Sequence, residues 1–598
     1  MKTHQSRSKQ RQIKPGSRAY KALIRRCIKA VQFGAPIRNF GFRQSFVIAA
    51  FLSSLTLNAA TYYVDYAAGS DSAAGTSSGT AWKHCPGDDA ATGNADAASL
   101  SAADTVIFKG GVAYLLSVPG SGTAAIDVLW SGTAGNPITY DGNSAGTWGT
   151  GKAIITDSNG TAQLAAFKSE SVARSNLVWR NFIFADIGGS AVCPTDEGSP
   201  VPPNPGYGIV LKQGPQNITV RDCEFYRIGY YWNTKPMDDD AIDGYGVIFW
   251  NGNGLTVTNC DFKQMCTGVY TKSENLVTNL TISTCRFSES MKWRVDMNVA
   301  GAYAYGGVLI TNCDFFNCGE FGEGFWTGYG GWPHADGIFL RCDFNGAQYC
   351  TNADWTGINF CGNHFWDTNQ VDANGTAVIY LAGGTSANIF NNVFNHTVKT
   401  RSVFIAGERG APTTPQTARI YHNTFLMNHE KAIGVSQTKA MGLLDVRNNV
   451  FQDVSTAGDA CTVNFEMANV ATNLIVDYNL YNCANADGDY IVWAGVVTGD
   501  LVALQGQGQE AHGLADDPTF VNDSYATGWQ CNLNDLRLQT NSPAIGAGAV
   551  LGGIFDRDKN GVSRGASVDL GAYEYATQSP GQITFGHARV TTLRITGP

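Results

Sequence analysis

Along most of its length the chain alternates apolar and polar residues over short runs, breaks at a polar turn, and resumes two residues before an aromatic. The break reads "RNFIF" at 180, "RDCEF" at 221, "TNCDF" at 258, "STCRF" at 283, "TNCDF" at 311 and "LRCDF" at 340. It continues as "GNHF" at 362, "NNVF" at 391, "HNTF" at 422, "NNVF" at 448 and "YNLY" at 478. Alternation of period two predicts strands, and the Gly/Asn/Asp punctuation between them predicts turns. Helical periodicity is nearly absent. Coils of roughly 20 to 30 residues, each built from short strands, predict an all-β parallel β-helix, a solenoid in which every coil stacks on the one before.

The residue two before each aromatic marks the register: Phe182, Cys223, Cys260, Cys285, Cys313, Cys342, Asn363, Asn392, Asn423, Asn449 and Asn479. A position that recurs on every coil stacks on its own kind, so five Cys followed by five Asn predict two internal ladders. One cysteine per coil at a fixed register reads as small apolar filling and not as a disulfide frame. Cys193, Cys266, Cys318, Cys350, Cys361, Cys461, Cys483 and Cys531 fall off the register, and some of them could pair. No spacing of Cys and His suggests zinc. Composition agrees with strand and turn: 69 Gly and 15% charged residues.

A second strand accompanies the early markers: "GVIFW" at 246, "GVYTK" at 268, "WRVDMN" at 293 and "GEGFWTG" at 322. With Val247, Val269, Val295 and Phe325 turned inward, alternation turns Ile248, Tyr270, Asp296 and Trp326 outward, together with Trp250, Lys272, Arg294 and Asn298. Such a face offers rings for the apolar sides of sugars and fixed polar groups for their hydroxyls and carboxylates. A solvated sheet face with scattered polar residues is the competing reading.

Two insertions flank this face. "YRIGYYWNTKPMDDDAIDGYG" carries Trp232, Asp238, Asp239, Asp240 and Asp243, and "GEFGEGFWTGYGGWPHADG" carries Glu323, Trp326, Trp332, His334 and Asp336. Paired carboxylates hydrolyse glycosidic bonds, one as acid and one as base or nucleophile, a role open to Asp243 with Asp336 or Glu323. Asp238, Asp239 and Asp240 could instead hold calcium. Elimination from a uronic acid needs a base and a cation, roles open to Lys272, Arg294 or His334. In "GIFLRCDF" the inward places fall to Ile338, Leu340 and Cys342; continuing that parity would bury Asp336, so the strand is expected to begin near Gly337. "DRDKNG" at 556 has the Asp556, Asp558, Asn560 spacing of a calcium loop but Ser567 where the twelfth-position Glu belongs, and reads as a turn.

The first sixty residues differ in kind. Twelve Lys and Arg without an acid precede "SFVIAAFLSSLTLNAA", the pattern of a secretory signal peptide with a long basic leader; a membrane anchor is the rival. Without that segment 29 basic residues face 50 acidic ones, a net charge of about −21. A nucleic-acid partner is therefore not expected, and a polyanionic substrate would need a local cationic patch or bridging calcium.

"YYVDYAAGSDSAAGTSSGTAWKH", "DTVIFKGGVAYLL" and "GTAGNPITYDGN" at one end, with "DDPTFV", "LNDLRLQTNSPAIGAG" and "VDLGAYEY" at the other, resemble the framing segments of secreted bacterial right-handed parallel β-helix proteins of the pectate-lyase-like superfamily. The signal peptide takes 1–60, and the resemblance, which covers about 61–576, implies an N-terminal cap and first coils over 61–150 and a right-handed β-helix over 151–500. A C-terminal cap over 501–576 and a tail over 577–598 complete it. It also implies a polysaccharide partner in a groove on an outer face and a protein that is secreted, periplasmic or at the cell surface, with no lasting membrane insertion; a monomer is expected, since no sequence feature points to oligomerisation. Three functions stay open: a glycoside hydrolase, placed first, a calcium-assisted polysaccharide lyase, and a carbohydrate-binding protein without catalysis.

Overall fold

One residue in each repeat turns the chain, the one immediately before the marker. Asn181, Asp222, Asn259, Thr284, Asn312, Gly362, Asn391, His422, Asn448 and Tyr478 all have φ between 52° and 67°. This left-handed conformation is the one that Asn, Asp and Gly tolerate best, hence their frequency at the break. In the computed structural model the turn joins two strands that enter different sheets. The structure describes residues 59–116, 124–157, 164–188, 206–229, 244–265, 267–273, 277–288, 293–300, 305–318, 335–343, 355–368, 377–381, 385–395, 401–405, 417–427, 431–435, 442–453, 461–465, 474–483, 491–493, 496–498, 501–524 and 533–575.

The coils contribute one strand apiece to three 13-stranded sheets, except that the last strand of sheet 2, Val496–Thr498, returns antiparallel on Ile491–Trp493. One coil runs Gly206–Leu211 in sheet 2, Gln216–Arg221 in sheet 1, then Glu224–Ile228 in sheet 3. Pairing is parallel from coil to coil, so a given position lies over its equivalent about 4.8 Å away. Phe184, Phe225, Phe262, Phe287, Phe315, Phe365, Phe394, Phe425, Phe451 and Tyr481 consequently form one continuous stack, with successive ring centres 4.7 to 5.2 Å apart. Each buried ring contributes about 1.5–3 kcal/mol, and the stack fixes the register of every coil it joins.

The two ladders lie beside this stack. Cys223, Cys260, Cys285 and Cys313 are buried free thiols. Burial pushes the Cys223 and Cys285 thiols well up, and each ladder Sγ donates to the carbonyl two residues before it at 3.2–3.3 Å. Asn363, Asn392, Asn423, Asn449 and Asn479 follow, each Nδ2 donating to the Oδ1 of the next at 3.0–3.1 Å, until Asn479 donates to Glu510 at 2.7 Å.

Cys342 does not belong to this series. Its strand, Ala335–Asp343, lies in sheet 2, where Cys342 pairs in register with Val299. The ladder passes directly from Cys313 to Asn363, whose Oδ1 accepts the Cys313 N–H at 3.0 Å. Residues 313 to 363 thus form one coil, not two, and the "LRCDF" at 340 is a coincidental match that lacks the left-handed turn. The same strand starts at Ala335 and not at Gly337; its register slips by one residue between Ala335 and Ile338, a bulge that resets the alternation Asp336 would otherwise have continued.

Beyond the last coils the helix Leu501–Gly506 buries Leu504 against the core, and Glu510 closes the Asn ladder. Burial pushes the Glu510 carboxyl up to about 7, against the donations from Tyr481 and Asn479. The segment that follows folds back along sheet 3, where Phe520, Leu536, Leu538, Ala544, Leu570 and Ala572 cover Val393, Leu426, Val450 and Leu480. Buried Arg564 ties it down, bonding Glu574 at 2.7 Å and Asn391 Oδ1 at 3.0 Å. "DRDKNG" is a turn of this segment: Asp558 accepts the N–H groups of Asn560, Val562 and Glu574 at 2.7–3.0 Å. Cys361 is a free thiol hydrogen-bonded to Thr311 Oγ1 at 3.3 Å. Among the described residues no helix is long and apolar enough to cross a membrane; the expected signal peptide lies outside them.

Candidate functional site

The outer face of sheet 2 is built by in-register pairing of Gly206–Leu211, Gly244–Trp250, Thr267–Ser273 and Trp293–Ala300. Val247, Val269 and Val295 enter the main core, and their neighbours face the other way. Two outward rows result. The first runs Lys168, Val210, Ile248, Tyr270, Asp296, with Phe339 next in backbone register. Trp250, Lys272 and Asn298 make the second, with Arg341 next in backbone register. The residue in register with Val295 on the next strand is Ile338, not Phe325, so Phe339 takes the register position expected for Trp326.

The apolar end of this face is a cluster of its own. Ala165, Val210 and Ile248 are buried, with Tyr207, Tyr245, Trp250 and Tyr270 packed against them. Tyr207 stacks on Tyr245 at 5.9 Å, and Tyr245 meets Tyr270 at 5.2 Å. The Trp250 ring is occupied by cations: Lys212 Nζ lies 4.1 Å and Lys272 Nζ 5.0 Å from its centroid. Cation–π contact holds both ammonium groups at the row, so Trp250 is a platform for lysines here and not an open stacking surface.

Charge is concentrated at the same end. Glu170 bridges Lys168 at 2.8 Å and Lys212 at 2.6 Å. Burial raises the Glu170 carboxyl, but hydrogen bonds from the two lysines outweigh it and hold the group below the usual range. One carboxylate therefore serves two ammonium groups, and Lys272 adds a third cation. On the next rung Asp296 is 0% and Asn298 2% exposed, and Asn298 Nδ2 donates to the Tyr270 hydroxyl at 3.3 Å.

Of the residues expected from sequence, the structure thus brings together Trp250, Tyr270, Lys272, Asp296 and Asn298. Arg294 and Asp336 are placed by backbone alone. Trp232, Asp238, Asp239, Asp240, Asp243, Glu323, Trp326, Trp332 and His334 lie outside the described residues, and the calcium expectation lies there with them. Sequence reasoning missed Tyr207, Tyr245, Lys168, Glu170 and Lys212. A signal for two of them existed: "GYGIV" at 206 and "GYGVI" at 244 are the same strand on successive coils.

Residues 214–451 match the family model described as "Right handed beta helix region". No curated protein matches. Among solved structures the chain is similar to pectate lyase Pel9A, with 15% identity, a TM-score of 0.38, and 86% of this chain and 96% of that one covered. It is also similar to the GH136 lacto-N-biosidase from Eubacterium ramulus, at 12% identity and a TM-score of 0.42, covering 79% and 69%. A rhamnogalacturonan lyase matches at 15% identity and a TM-score of 0.35, covering 77% and 91%.

Proposed function

We propose that this right-handed parallel β-helix is a polysaccharide-active enzyme that holds an anionic chain along the outer face of sheet 2 and cleaves it there. The observation that carries the reading is the grouping of Lys168, Lys212 and Lys272 around Glu170 and Trp250. A chain with a strong acidic excess repels polyanions as a whole, so a cluster of lysines beside aromatic rings is where a uronate chain would be held. Tyr270 and Asn298 supply hydroxyl and amide partners on the next rungs.

The cationic row favours β-elimination over hydrolysis. A lyase needs a cation to neutralise the uronate carboxylate and a base to remove the adjacent proton, and Lys272 stands where it could serve in either role. Hydrolysis needs two carboxylates, and Asp296 supplies one on this face; Asp243, Glu323 or Asp336 would have to supply the other. Incubation with polygalacturonate separates the two. Ultraviolet absorbance from an unsaturated product signals elimination, new reducing ends without that absorbance signal hydrolysis, and binding with neither sinks the enzymatic reading. Secretion is part of the proposal, and recovery of a processed chain beginning near Thr61 from the producing cell's medium or periplasm would test it.

A further inference from the structure

Sheet 1 carries a second polar row, distant in sequence from the face just described. Asn359, Asn388, Arg419 and Asp445 occupy equivalent positions on four successive strands. Their neighbours Ile358, Phe360, Ile389, Ile420 and Val446 are in the core, so the row faces outward. Rungs spaced about 4.8 Å apart put Asn359 and Arg419 within about 10 Å.

The hydrogen bonds of this row leave one group over. Asn388 Nδ2 donates to Asn359 Oδ1 at 2.8 Å, and Asn359 Nδ2 donates to the Gly357 carbonyl at 3.2 Å. Asp445, next along from Arg419, is already engaged: Arg447 grips both its oxygens at 2.7 and 2.6 Å, and the Tyr421 hydroxyl donates to it at 2.6 Å. Phe555 closes over Tyr421 and Phe390, with ring centres 4.8 and 5.0 Å away, and walls one side of the row. Among the described residues Arg419 has no carboxylate partner and no hydrogen bond, although it is half-buried. Its nitrogens are not among the buried unbonded atoms, so they reach solvent.

A guanidinium carries five N–H donors in a planar fork that fits a carboxylate with two parallel bonds. Here the fork stands beside a file of side-chain amides, which suit hydroxyl groups. We propose that Arg419, with Asn388 and Asn359, forms a second saccharide-binding site that takes a carboxylate-bearing sugar on sheet 1. It is a holding site with no catalytic group, independent of the reading given to sheet 2.

The test is calorimetric titration with an oligogalacturonate and with a neutral xylo-oligosaccharide of equal length, at fixed ionic strength, on the full chain carrying Lys272→Ala. Binding of the acidic oligomer is expected to persist in that background. Arg419→Gln should then weaken it about tenfold or more, as loss of a charged hydrogen-bonding partner implies, and the neutral oligomer should bind no differently in either protein. Arg419→Lys, which keeps the charge and loses the fork, should give an intermediate loss with an unchanged unfolding midpoint, which separates a binding defect from a folding one. Loss of all binding on Lys272→Ala alone, or equal affinity with and without Arg419, overturns the proposal.

Discussion

The backbone N–H of Cys313 donates to the Oδ1 of Asn363 at 3.0 Å, across fifty residues of sequence. A thiol ladder hands over to an amide ladder at this contact, and each amide beyond it holds the N–H of the residue below while its own Nδ2 reaches a carbonyl and the next amide. The thiols make only weak, long bonds to backbone carbonyls, 3.2–3.7 Å; the amides also bond one another.

That difference should be measurable. Asn423→Ala removes acceptance from Asn392 N and Nδ2 and donation to Ile389 and Asn449, all within 3.0 Å. The stranded buried groups should cost about 3 kcal/mol or more. Cys285→Ala leaves only a small void and should cost about 1 kcal/mol. Denaturant midpoints of the two variants give the comparison, and equal losses would contradict the bonding role of the amides.

Glu510 should make stability depend on pH. Burial raises its carboxyl from the ordinary 4.5 to about 7, with Asp477 adding to the rise against donations from Tyr481 and Asn479. Because the folded value lies above the unfolded one, the native state favours the protonated form. Its stabilising effect is complete below about 4.5 and is lost as pH rises through 7, by at most about 3 kcal/mol. Glu510→Gln should flatten the decline in melting temperature between pH 5 and pH 8.

On sheet 2, Lys272→Met should lower kcat/KM on a uronate polysaccharide by about 100-fold or more while leaving the melting temperature nearly unchanged. Trp250→Ala should raise KM more than it lowers kcat, since Trp250 positions Lys212 and Lys272 through its ring. Steady-state kinetics on both variants check the division of labour.

The returning C-terminal segment offers another test. Arg564→Met leaves Glu574 without its buried partner, and breaking such a pair costs about 3–5 kcal/mol. Limited proteolysis should then cut between residues 514 and 575 well before the coils are attacked. Simultaneous digestion of coils and segment would mean that the segment is integral to the core.

The architecture was legible because a β-helix writes its register into the sequence: the left-handed turn residue, the marker and the stacked aromatic recur together. "LRCDF" has the marker and the aromatic but Arg341 in place of a turn residue, and those letters alone could not separate a sheet 2 strand from a turn. The outward rows were readable from Val247, Val269 and Val295, because parity in a strand is fixed by its inward residues. The role of Trp250 was not, since only three-dimensional placement brings Lys212 and Lys272 to the same ring. Arg419 was equally hidden, because its lack of a partner depends on Arg447 having already taken Asp445.

The fifty-residue coil has one further consequence. Its two neighbouring rungs meet as closely as rungs separated by 26 residues, so the spine is indifferent to how much chain leaves and re-enters between them. Length at that point is a free variable. A lineage could exchange the segment between Cys318 and Ala335 wholesale, and the Phe315 to Phe365 contact would hold the frame while the insert was changed.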